Sequence, residues 1–182
     1  MTTTAGKAPR VFSFPPLSAA DAKVLILGSM PGTASLNAGQ YYAYPRNAFW
    51  RIIDSLFGVA ADSPYAERCA QLVRHRVAVW DVLKACTRSG SLDAAIDHRS
   101  VEPNDLAGLL AGHPQIEVIF FNGATAQRLF ERHVLPILPD SQAAIVRHRL
   151  PSTSPAHASL GFEQKLTAWR IIGRHVTVNP VP

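Results

Sequence analysis

Four short apolar runs limit what this chain can fold into more than any other feature. They are VLIL (24–27), VAVWDV (77–82), VIFF (118–121) and AIV (144–146), the last continuing toward Leu150. The first three are nearly continuous, as parallel strands covered on both faces must be. Helical periodicity fills the intervals. In NAFWRIIDSLFG, Phe49, Ile52, Ile53 and Leu56 follow an i, i+3, i+4, i+7 stripe, with Asn47 at the N-cap and Gly58 as the stop. SPYAERCAQLVRH offers Ser63 as a cap and Pro64 in the first turn. PNDLAGLLAGH starts with Pro and stops at Gly112, and GATAQRLFERH opens at Gly123 straight after a strand. FEQKLTAWRIIGRH sets Phe162, Leu166, Trp169 and Ile172 on one face. This alternation predicts an α/β fold, a three-layer α/β/α sandwich around a parallel sheet.

Ligands of such sheets bind beyond the carboxyl ends of the strands. Four places qualify: the loop from Gly28, the turn after Trp80-Asp81, Asn122-Gly123, and the loop LPSTSPAHASLG from Leu150. With 182 residues and 47% hydrophobic content, the chain can bury one core. We expect a single domain over 12–176, between a flexible N-terminal tail (1–11) and a C-terminal tail (177–182). No apolar run approaches the ~18 residues of a membrane span, and MTTTAGKAPR lacks the apolar stretch of a signal peptide. The expectation is a cytoplasmic monomer of bacterial type.

Several chemistries find no residues to carry them. Cys69 and Cys86 are too few for a disulfide framework or an iron–sulfur cluster, and read as idle thiols in a reducing cytosol. No His/Cys/Asp cluster has zinc spacing. GxxxxGK[ST], GxGxxG and GxSxG are all absent, so neither a metal nor a nucleotide cofactor is expected. The balance of 18 Lys+Arg against 13 Asp+Glu is basic, and only Lys7, Lys23, Lys84 and Lys165 are lysines. Such an Arg-rich surface suits phosphate. RHR occurs at 74–76 and 147–149, either as a solvated helix end and strand edge or as a grip on backbone phosphates.

The four strand-end loops hold the candidate site. GSMPG, at 28–32, sets two glycines and a proline after a strand, letting backbone approach a ligand closely. In QYYAYPRNAFW, three tyrosines within four residues can form a platform for a planar base. Asn47 is either a helix cap or a carboxamide that holds water. Asp81 and Asn122 end strands on the ligand side, and the carboxamide of Asn122 has the donor–acceptor pattern that reads a base edge. PSTSPAHAS can offer hydroxyls and amide N–H groups to phosphate, or Ser159 can simply cap the last helix.

Together these motifs resemble the uracil-DNA glycosylase superfamily, and most closely its hypoxanthine-DNA glycosylase family. The markers are GSMPG, YYAYPRNAFW, VWDVL followed by GSLD, FFNG and LPSTSPAHAS, in that order from about residue 12 to 174. The resemblance implies a central four-stranded parallel sheet. It implies an enzyme of base-excision repair that flips a deaminated base out of DNA and hydrolyses its N-glycosidic bond without a cofactor, leaving an abasic site. It places Tyr42 against the base, Asn47 on the attacking water, and Asn122 as a second important Asn. Asp81 falls where standard uracil glycosylases read the base, and Ser29–Met30 backbone lies along its edge. Ser152, Ser154 and His157 fall in the DNA-binding loop.

The chain departs from the superfamily at two positions. Mismatch-specific uracil glycosylases carry GINPG where this chain has GSMPG, so their catalytic Asn falls on Met30. Where standard enzymes have His-Pro-Ser-Pro, this chain has Ser152-Thr153-Ser154-Pro155, so the catalytic His falls on Ser152. The wedge position falls near Ala156, too small to fill a vacated base stack, with His157 or Leu160 as substitutes. The resemblance to the hypoxanthine-DNA glycosylase family implies hypoxanthine as the expected base. Uracil or a broader set of deaminated bases is one alternative, and a non-catalytic DNA-binding module on the same fold is another.

Overall fold

An apolar run becomes an interior strand when both of its faces find apolar cover. The structure, a computed structural model, describes residues 8–176. Along the chain run β1 (Arg10–Phe12), β2 (Val24–Gly28), α1 (Thr33–Ala38), α2 (Phe49–Phe57), α3 (Tyr65–Arg74), β3 (Val77–Asp81), β4 (Leu83–Arg88), β5 (Ile96–Pro103), α4 (Leu106–Gly112), β6 (Val118–Asn122), α5 (Ala124–His133), α6 (Asp140–Ala143), β7 (Val146–Leu150) and α7 (Phe162–Trp169). The predicted strands form one parallel four-stranded sheet in the order β3–β2–β6–β7. Residues 144 and 145 belong with the end of α6 rather than with β7.

The strand period of two divides this sheet into two faces. Leu25, Leu27, Ala78, Ile119 and Phe121 pack on one side with Leu109 and Leu110 of α4 and Leu129 and Phe130 of α5. Val24, Ile26, Val77, Val79, Val118 and Phe120 pack on the other with α2, α3 and α7, through Phe49, Ile52, Ile53, Leu72, Leu166 and Trp169. Each such side chain contributes roughly 1.5–3 kcal/mol by leaving water. The result is the three-layer α/β/α sandwich.

Helix starts differ from expectation in detail. α3 begins after Pro64 without a side-chain cap, so Ser63 does not fill that role. The N-cap of α7 is Gly161, whose N–H donates to Gln164 Oε1 at 2.9 Å, so Ser159 is not its cap. Asn47 precedes the assigned cap Ala48, yet its Oδ1 accepts the N–H of Phe49 at 3.0 Å and so serves the helix end.

A second, antiparallel sheet was not foreseen. Its order is β1–β4–β5. Arg10 and Val11 lie within the expected N-terminal tail, but they pair with Thr87 and Cys86 of β4. Residues 1–7 and the expected tail 177–182 lie outside the described residues. β5, IDHRSVEP, is mostly exposed or half-buried, so it carried no apolar signal.

Phe130 of α5 is fully buried, its ring centroid 5.2 Å from that of Phe121 on β6. Phe130→Ala should cost about 3–5 kcal/mol, read as a lower urea midpoint at unchanged slope.

Candidate active site

The ladders end level. Gly28 pairs with Asp81, Leu27 with Phe121, and Asn122 with Leu150. At this carboxyl edge the loops enclose a cavity of about 670 Å³, within the range that takes small ligands. Nine of the sequence candidates line it: Ser29, Met30, Tyr42, Asn47, Asp81, Asn122, Ser152, Ser154 and His157, whereas Leu160, a wedge candidate, does not. The two RHR segments do not. Arg76 donates to the Asp21 carbonyl at the amino end of the sheet, and Arg147 donates to Ala143 and Ile145 carbonyls beside the edge strand β7.

The three tyrosines take three different places. Tyr41 sinks into the core, its hydroxyl donating to Pro15 O at 3.1 Å and its carbonyl accepting from Trp50 Nε1 at 2.9 Å. Tyr42 stacks on Phe49 with ring centroids 3.9 Å apart and planes 19° from parallel. Its backbone adopts φ +55°, left-handed and strained for a residue with a side chain. Tyr44 is at the rim, with Arg46 bonded to its hydroxyl. Tyr42 thus has one ring face covered by Phe49. Burial, and then the charge of Asp81, push its phenol well above the ordinary range.

Two glycines open the space between these groups. A Cβ on Gly28 would lie 2.5 Å from Asp81 Oδ1 and 3.2 Å from the Tyr42 hydroxyl. Gly123 has φ +99°, and a Cβ there would come within 3.0 Å of Ser152 Cβ. No larger residue fits either position without displacing site groups.

The carboxamides are partly engaged. Asn122 Nδ2 donates to Thr153 Oγ1, and its Oδ1 accepts the Thr153 N–H, both at 2.9 Å. It therefore clasps the 151–157 loop, with one N–H and one lone pair left for a ligand. Asn47 spends one Oδ1 lone pair on Phe49, which leaves its amide group and a second lone pair. Leu83 N–H takes the Ser29 carbonyl at 3.1 Å, so the N–H of that same planar peptide, on Met30, points the opposite way. The Met30 side chain itself is buried in the core.

Loop 151–157 is held from below. Trp169 Nε1 donates to Pro151 O at 2.9 Å, Ala48 N–H to Thr153 O at 3.0 Å, and buried Lys165 to Ser154 O at 3.1 Å. Ser154 Oγ accepts the Ala156 N–H and Ser152 Oγ that of Ser154, both at 3.2 Å.

Sequence reasoning missed one wall. Residues 91–94 line the cavity from the turn between β4 and β5. Ser91 Oγ bonds Thr33 Oγ1 and accepts its N–H, and Ser29 Oγ donates to Asp93 Oδ1 at 2.7 Å. Burial above all lifts the Asp93 carboxyl. Leu92 stands at the rim, 59% exposed. Behind them Arg88, 1% exposed, donates to the carbonyls of Gly90, Met30 and Pro31. GSLD marked this segment, but Arg88 precedes it and carries no local pattern. No group of three or more His, Cys, Asp or Glu among the described residues could hold a metal ion.

The family model of the uracil DNA glycosylase superfamily matches residues 15–172. A hypoxanthine DNA glycosylase of Methanosarcina barkeri (strain Fusaro / DSM 804) is 38% identical over 111 residues, covering 60% of this chain and 69% of that protein. One from Methanosarcina acetivorans is 37% identical over 114 residues, 62% and 71% respectively. A candidate uracil DNA glycosylase from Methanosarcina acetivorans, solved by NMR in solution, superposes with a TM-score of 0.75 at 31% identity. That match covers 92% of this chain and 98% of the other.

Arg88→Lys should destabilise the protein by about 1.5–3 kcal/mol, because an ammonium cannot reproduce the fork that meets three carbonyls. Urea denaturation measures it.

Proposed function

The chain belongs to the uracil DNA glycosylase superfamily, and on that footing we propose that it is a monofunctional DNA glycosylase that removes hypoxanthine from DNA. Support comes from the two relatives named hypoxanthine DNA glycosylase. The geometric support is a single observation: one cavity at the strand ends is lined by Tyr42, Asn47, Asp81 and Asn122 together. These are the groups needed to floor, read and hydrolyse an extruded nucleotide.

In this reading the base lies on Tyr42. The Met30 N–H, Asp81 and the free valences of Asn122 meet its edge. Asn47 orients a water molecule toward C1′. The water oxygen forms the new bond to C1′ as the C1′–N9 bond breaks; the bonding pair leaves with the base, and the proton shed by the water neutralises that departing anion to give the free base. Positioning and fixed dipoles supply the rate, since the carboxamide of Asn47 is no strong base. Among the described residues no lysine lines the cavity, so the product in this reading is an intact abasic site. Ser152, Ser154 and His157 lie on the side where backbone phosphates would pass. Arg46 at the rim adds positive charge there. Leu92 is the large exposed apolar side chain on the missed wall, and it is our candidate to fill the gap left by the flipped base, for which Ala156 is too small.

Single-turnover excision from a deoxyinosine duplex tests the reading. Among duplexes carrying hypoxanthine, xanthine or uracil, hypoxanthine should be released fastest; absence of excision from all three refutes it. Asn47→Ala should slow excision by about 10²-fold or more while DNA binding persists. Tyr42→Ala should weaken capture of the flipped base by about 1–3 kcal/mol. Leu92→Ala should slow excision from duplex DNA more than from single-stranded DNA, where no stack needs filling; equal losses on both would remove it as the wedge.

A further inference from the structure

Asp81 ends β3 and is only 3% exposed. Its backbone carbonyl is secured by Asn104 Nδ2 at 2.9 Å. Its carboxyl group has no comparable support. Oδ2 is enclosed and meets no donor among the described residues. Oδ1 presses on the Cα side of Gly28. The Tyr42 hydroxyl, also enclosed and unpartnered, approaches the same point. Two orphaned polar groups therefore converge on one patch of the cavity wall. Buried polar groups are almost always partnered, so this patch is built for a polar partner that the protein does not supply.

The surroundings do not favour a charge on Asp81. Arg88 of β4 is committed to three carbonyls and makes no salt bridge among the described residues. Asp93, from the β4–β5 turn, is a second carboxyl. Tyr41 and Tyr42 face it as phenols. An ionised carboxylate here would be enclosed, unpaired and next to another acid.

We propose that Asp81 works as a neutral carboxylic acid, its O–H donating to the ring carbonyl of the flipped base and its C=O accepting the adjacent ring N–H. This rests on the glycosylase reading and deepens it. The feature recognised is a lactam edge, an N–H beside a C=O, which hypoxanthine, xanthine and uracil share. A carboxylate has no proton to donate and would face the base carbonyl oxygen with its own.

Burial, and then Asp93, push the Asp81 pKa up to about 8, with Arg88 pulling it down. The donor is therefore present at neutral pH and is lost as pH rises through that value. Wild-type single-turnover excision from a deoxyinosine duplex should fall above about pH 8. Asp81→Asn keeps one donor and one acceptor but cannot ionise. It should be faster than Asp81→Ala at pH 7 and lose that limb, while any limb from the base's own N–H persists in both. Asp81→Ala should be slower by roughly 10- to 100-fold, as expected for a lost bidentate base contact.

A readout on the free wild-type protein needs neither activity nor a variant. The carbon-13 carboxyl resonance of Asp81 should titrate with a midpoint near 8. The folded state would then hold this proton more tightly than the unfolded chain does. Stability should fall as pH rises from the ordinary Asp range to about 8 and level off above it, a slope absent from Asp81→Asn. A midpoint below 5, or Asp81→Asn as slow as Asp81→Ala, overturns the proposal. If no lactam base is excised by the wild type, the glycosylase reading falls instead, whatever the titration gives.

Discussion

The level register of the parallel ladder is the constraint from which the site follows. Because Gly28 pairs with Asp81 and Asn122 with Leu150, four chains leave the sheet at one height. A slip of one residue in β3 would turn Asp81 to the opposite face of the sheet. The apolar residues of both faces oppose any such slip, since Val77 and Val79 would exchange places with Ala78 and Trp80. Core packing therefore sets the positions of polar groups that take no part in it.

The loops are then fixed by a small set of buried polar side chains. Ser35, Asp81, Arg88, Asn104, Thr153 and Lys165 are the buried polar residues among those described. Ser35 accepts the Ala43 N–H, Asn104 holds the Asp81 carbonyl, Arg88 gathers the 28–32 loop, and Thr153 and Lys165 fasten the 151–157 loop. Four of the six thus satisfy loop or strand-end backbone through their side chains, while the Thr153 hydroxyl accepts from the Asn122 carboxamide. Asp81 is the exception, with a side chain that satisfies nothing.

What could be read from the chain divides along the same line. The apolar runs announced the parallel sheet because burial on two faces leaves a one-dimensional trace. The β1–β4–β5 sheet left none, since β5 is a polar edge strand held by backbone bonds. Residues lining the cavity were legible where they sat at strand ends, as with Asp81 and Asn122. Their partners were not: the clasp of Asn122 on Thr153 spans 31 positions, and Arg88 acts on carbonyls 57 and 58 positions away. Asn47 was readable both ways because it has both jobs within reach, a cap bond through one lone pair and a free amide beside the cavity.

The stacking of Tyr42 on Phe49 has a consequence for the thermodynamics of any planar ligand. A tyrosine floor in a mobile loop would have to be ordered on each encounter, at the expense of rotamer and backbone entropy. Here the ring is already immobilised against a core residue, and its left-handed backbone is held there by folding. That entropy is lost once, in the folding of α2 onto the sheet, and not again at each association. Capture of an aromatic ring on such a surface should accordingly draw on dispersion and dehydration with little loss of protein disorder, which makes the stability of the core and the affinity of the cavity two expressions of one contact.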